Sequence, residues 1–120
     1  MSKRTEDILE SLSELLGDQD AQLELLQLSR QNLAATIVNR AATTMQKPDA
    51  NLHYTLKLLD EAVFYAPESA AANFLRGRIH IALSFFDQAR KDLKVVVSLR
   101  DEDLSPLAIA MLKEMDREGS

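Results

Sequence analysis

Laid against itself with a displacement of 34 residues, this 120-residue chain sets apolar side chains on apolar side chains. Leu52 falls on Phe86, Leu59 on Leu93, Ala62 on Val96, Val63 on Val97 and Tyr65 on Leu99. Further upstream the displacement becomes 36, with Val38 on Phe74, Arg40 on Arg76, Ala41 on Gly77 and Met45 on Ile81. Two extra residues in a turn around Pro48 account for the change. A period of this size marks supersecondary units that cannot bury their apolar faces alone and therefore stack on one another.

The units are helical by their spacing. Ile8, Leu9, Leu12, Leu15 and Leu16 recur at steps of three and four, with Glu6 and Asp7 in the first turn and Gly17 as a stop, which predicts a helix over residues 5–16. Residues 19–46 carry Leu23, Leu26, Leu33, Ile37, Val38, Ala41 and Met45, either as one long helix or as two divided at the polar stretch 29–32. Pro48 closes this segment, because proline has no amide hydrogen to donate to a continuing helix. Helices are then expected over residues 51–66, ending at Pro67, and from Ser69 to about residue 84. Another is expected from Asp87 to Leu99, with the β-branched run Val95, Val96 and Val97 inside helical spacing and buried. Ser105 followed by Pro106 has the form of an N-cap and first helical residue for a last helix to about Arg117.

Composition supports the all-α reading. Ala, Leu, Glu, Lys, Gln and Arg, which lose little side-chain freedom in a helix, dominate, and there are only three Gly and three Pro. The net charge of -5 is spread evenly, so no basic stripe is present to follow a nucleic-acid backbone. The chain has no Cys and no apolar run near the ~18 residues of a membrane span, and its N-terminal segment is amphipathic, unlike a signal peptide. A cytoplasmic location is the expectation, with no membrane and no nucleic acid among the partners.

From Ala70 to Leu99 the sequence resembles a tetratricopeptide repeat. Gly77 lies where that family places a small residue at a close helix crossing, and Ala89 follows twelve residues later, preceded by the aromatic Phe86 and followed by Leu93 and Val96. In the preceding unit Leu59, Ala62 and Pro67 fit the late half of the pattern. Asn73, Arg76 and His80 stand where the family prefers Trp, Leu and Tyr, Thr55 replaces a small residue, and Asp101 replaces a closing proline. The resemblance spans about two repeats, residues 33–101. It implies antiparallel helix pairs stacked as a short right-handed superhelix in a single helical domain, with residues 1–32 as N-terminal capping helices and residues 102–120 as the C-terminal capping helix.

Residues with chemistry at a useful spacing are scarce. His53 and His80 lie on different expected helices, and neither has a His or carboxylate three or four positions on, so no metal face forms. His80 reads as a half-buried packing residue and His53 as solvated. Asp101, Glu102 and Asp103 lack the spacing of a calcium loop, and neither Gly17 nor Gly77 belongs to a phosphate-binding motif. No enzymatic activity, no cofactor and no metal are expected.

What the resemblance implies instead is a concave groove lined by the first helix of each pair. Its positions map to Ala35, Val38, Ala42, Met45 and Gln46 in the first unit, and to Ala71, Phe74, Arg78, Ile81 and Ala82 in the second. Of these, Val38, Ala42, Met45, Ala71, Phe74, Arg78 and Ile81 are the candidate partner-binding residues. A small apolar groove with one cation suits an amphipathic or extended polypeptide bearing one acidic residue, as an adaptor or small chaperone would bind. Two alternatives stand beside it. Val38, Phe74 and Ile81 are core residues, or the N-terminal helix with Leu12, Leu15 and Leu16 fills the groove, its own or that of a second copy, giving a homodimer by exchange.

Overall fold

The computed structural model describes residues 7, 8, 10, 11 and 19–118. The described residues form five helices and no strand: α1 Gln19–Met45, α2 Leu52–Tyr65, α3 Ala70–Ala82, α4 Phe86–Ser98 and α5 Leu104–Arg117. The protein is thus all-α. Asp7, Ile8, Glu10 and Ser11 are helical, while most of the helix expected over residues 5–16, with its stop at Gly17, lies outside the described residues. Of the two forms open for residues 19–46, the unbroken helix is the one observed. The chain divides into two compact units, Met1–Asn32 and Leu33–Ser120.

Local chemistry sets the helix ends. Asn51 caps α2 by accepting from the Tyr54 amide, and Ser69 caps α3 by accepting from the Ala72 amide, each filling one donor that a first turn leaves open. The start of α5 departs from expectation. Ser105 is inside the helix and donates its hydroxyl to the Val96 carbonyl on α4. Asp101 does the capping in its place, its Oδ1 accepting from the amides of Asp103 and Leu104 at 3.0 and 2.7 Å. Pro106 is tolerated because a first-turn residue has no intrahelical use for an amide hydrogen. The α3–α4 and α4–α5 connections each turn on a non-glycine residue with positive φ, Ser84 at 64° and Arg100 at 56°.

Within Leu33–Ser120 the core falls into three groups. Ala34 of α1, Ala62 and Ala66 at the end of α2, and Ala72 of α3 form the first, where methyl-sized side chains bring three helices close. Ala41, Leu58, Leu59 and Ile79 form the second, again from α1, α2 and α3, with Met45, Leu75 and Leu83 packed against it. Phe74, Ala89, Leu93, Val96, Ala108 and Met115 form the third, from α3, α4 and α5. Helix α3 therefore has α1 and α2 on one side and α4 and α5 on another. The β-branched run divides by helical geometry: Val96 is buried, Val97 half-buried and Val95 exposed.

Candidate functional site

Two features of α3 stand out, one buried and one open. The buried one centres on Asp92, whose helix α4 places it at the apolar spacing of Ala89, Leu93 and Val96. A carboxylate on a core stripe needs partners, since an isolated buried charge is costly. Arg76 donates from Nε at 3.1 Å and from its terminal nitrogen at 2.7 Å to Asp92 Oδ1. His80, one turn further along α3, sits with Nδ1 2.7 Å from Oδ2, and beside a carboxylate that nitrogen carries the proton and donates it. Arg76 reaches back as well to Asp60 of α2 at 3.3 Å. Two carboxylates and one guanidinium thus tie together α2, α3 and α4.

Burial pushes the Arg76 guanidinium down, but the hydrogen bond and charge of Asp92, with Asp60 behind them, more than reverse this and hold it above the ordinary arginine range. Asp92 has 4% of its side chain exposed, Arg76 22% and Asp60 55%, so the Asp92 contact carries most of the energy and the Asp60 contact little. Immediately beside this network is Gly77. A Cβ placed there meets Leu93 at 3.2 and 3.3 Å and Asp92 Cβ at 3.4 Å, so α3 and α4 approach at the one residue of α3 without a side chain.

Asn73, Arg76, His80 and Thr55, the departures from the repeat pattern, are all hydrogen-bonded. Asn73 Nδ2 donates to the carbonyls of Pro67 and Ser69, and Thr55 donates to the Asn51 carbonyl. His80 is buried in the network, more deeply than the half-buried packing residue expected, with the Phe85 ring tilted against it; His53 is exposed. The His80–Asp92 link was not anticipated, because partners for each His were sought only on its own helix. The available signal was Asp92 at a core spacing, with Arg76 and His80 four apart on the neighbouring helix.

The open feature is the face of α3 that carries the expected groove positions, with the corresponding part of α1. The seven expected groove residues separate by exposure. Ala71 and Arg78 are exposed, Val38, Ala42, Met45 and Ile81 are half-buried, and Phe74 is 9% exposed beneath Ala108 and Met115. Val38 belongs to the first core group, Met45 to the second, and Phe74 with Ile81 to the third. Phe74 is thereby a packing residue of the α3–α4–α5 core, and the open face carries small side chains with Arg78 among them, since Ala35 and Ala82 are exposed too. Among the described residues no cluster of His, Asp and Glu could hold a metal ion, and no helix is long and apolar enough to cross a membrane.

Compared with known proteins, the chain matches no family model, no curated protein and no solved structure.

Proposed function

We propose that Leu33–Ser120 is a short tetratricopeptide-like stack of helix pairs that binds a polypeptide segment of a partner protein, as an adaptor or small chaperone does, without catalysing a reaction. The observation that carries this reading is the double packing of α3. Its Leu75, Ile79 and Leu83 side meets α1 and α2, its Phe74 and Ile81 side meets α4 and α5, and the strip left over holds Ala71, Arg78 and Ala82. The close α3–α4 approach at Gly77 supports the same reading, because a small residue at a helix crossing is what the repeat requires.

Small side chains let a partner backbone come near, and Arg78 supplies one charged hydrogen-bonding group for an acidic side chain. The ligand that fits is an apolar or amphipathic segment with one carboxylate. Selection from a displayed random-peptide library tests this. Enriched peptides should share apolar positions around an acidic residue, and binding should fall at least about tenfold in Arg78→Glu, whose side chain lies outside the core. Binding that is indifferent to Arg78→Glu, or no enrichment at all, would remove the proposal. Phe74 is the internal control: Phe74→Ala should lower stability by about 3 kcal/mol by cavity formation, so loss of binding there reports on folding.

A further inference from the structure

On the Met1–Asn32 unit, α1 exposes a run of leucines: Leu23 is 64% exposed, Leu26 52% and Leu28 54%. A helix with this much apolar surface facing water is not accounted for by its own stability. Among the described residues three hollows lie on it, one on its more polar side at Glu24, Gln27, Leu28 and Gln31, and two along the stripe of Leu23 and Leu26. Of the two on the stripe, one is lined by Gln19, Gln22, Leu23 and Leu26, and the other by Leu23, Leu26, Gln27 and Arg30. Each set has the spacing i, i+3, i+4, i+7, which is the four-residue hole that accepts one side chain from a facing helix in a coiled coil.

We propose that these two hollows receive Leu23 and Leu26 of a second copy of this chain, pairing the first turns of α1 antiparallel about a two-fold axis. The register follows from the holes. The first hole is centred between residues 22 and 23, and the second between 26 and 27. An antiparallel partner that sets Leu23 opposite the partner's Leu26 therefore puts Leu23 into the partner's second hole. The same register puts Leu26 into the partner's first hole, and the reciprocal pair fills the remaining two. Such mutual fit is the requirement of an isologous interface.

Charge selects the direction. Arg30 forms no ion pair among the described residues and stands in the seam, on the stripe of Leu23 and Leu26. In a parallel pair Arg30 would face the partner's Arg30. In the antiparallel register it lies beside the partner's Gln19 and Asp20, an opposite charge that also has an interaction within its own chain. Within residues 19–30 the one further charge is Glu24, which lies off the stripe of Leu23 and Leu26. This inference uses residues 19–30 and does not depend on the groove reading.

Sedimentation equilibrium of the full chain is the test. The protein should sediment at twice its 13.4 kDa mass and Leu26→Glu as the single chain, with unchanged far-ultraviolet circular dichroism. Charge exchange decides the register and leaves every leucine in place, so it remains informative if Leu26→Glu loses helix. Arg30→Glu and Asp20→Lys should each weaken self-association at least about tenfold, because each sets like charges together twice per dimer. Mixing the two variants should restore association to near the wild-type value as a heterodimer, since each then meets its opposite. A wild-type chain that stays at 13.4 kDa at every concentration overturns the proposal, and its hollows then belong to the chain's own residues or to a foreign segment. So does a mixture no tighter than the separate variants, or an undiminished dimer in Arg30→Glu.

Discussion

Asp92 receives three hydrogen bonds from two side chains of the neighbouring helix, and this fixes what its loss would do. Removing a buried ion-pair member leaves the others desolvated and unpaired, a larger effect than the net worth of the pair. Asp92→Ala should therefore lower the unfolding free energy by about 3 kcal/mol, read as a shift in the urea midpoint at unchanged slope. The pH dependence of the Arg76 contribution follows from its raised value. A cation held above its unfolded range contributes fully below the unfolded value and loses that contribution only as pH climbs through the folded one. Both lie far above neutrality. The stability difference between wild type and Arg76→Met should accordingly stay flat from neutral to mildly alkaline pH, and a slope in that window would count against the assignment. Individual residues were the least legible scale in the sequence. The seven expected groove positions share one face of α1 or of α3 in a helical projection, yet exposure divides them, because whether Phe74 meets solvent depends on where Ala108 and Met115 of α5 come to rest. That is long-range information which spacing along one helix does not contain.

Elements were far easier to read, since apolar periodicity and the turn residues act locally. Pro48, Pro67 and Ser69 sit where the expected helices stop and start, and α2, α3 and α4 begin within about two residues of expectation, the usual scatter of helix ends. The long α1 stayed undecided because its polar stretch from Ser29 to Asn32 resembles a helix break, whereas none of those four residues lacks the amide hydrogen that a continuing helix uses. At α5 the Ser105–Pro106 signal was overridden by Asp101, which reaches two amides at once and starts the helix earlier. Between elements the tightest constraint is Gly77. Any side chain there must displace Leu93, which is wholly buried and has nowhere to go. Gly77→Val should cost about 2 kcal/mol or more in thermal or urea unfolding, despite the poor helix propensity of the glycine it replaces. A neutral or stabilising result would mean that α3 and α4 separate more readily than their packing implies.

At the scale of the whole molecule, the three core groups give Leu33–Ser120 a continuous sequence of neighbours, and α3 belongs to all of them through Ala72, Ile79 and Phe74. Amide hydrogens in the middle of α3 should exchange slowest of all in native-state hydrogen exchange, and those of α5, which the network around Asp92 does not reach, should exchange faster. Stacked helical repeats ordinarily loosen one neighbour at a time, since each is held mainly by the next. Here the guanidinium of Arg76 spans from Asp60 to Asp92, so letting α4 go strands a cation that α2 alone, through a mostly hydrated carboxylate, holds weakly. Opening at that seam is thus made to cost more than the apolar surface it uncovers, and the three linked helices should come undone in a single step where an ordinary stack would unzip.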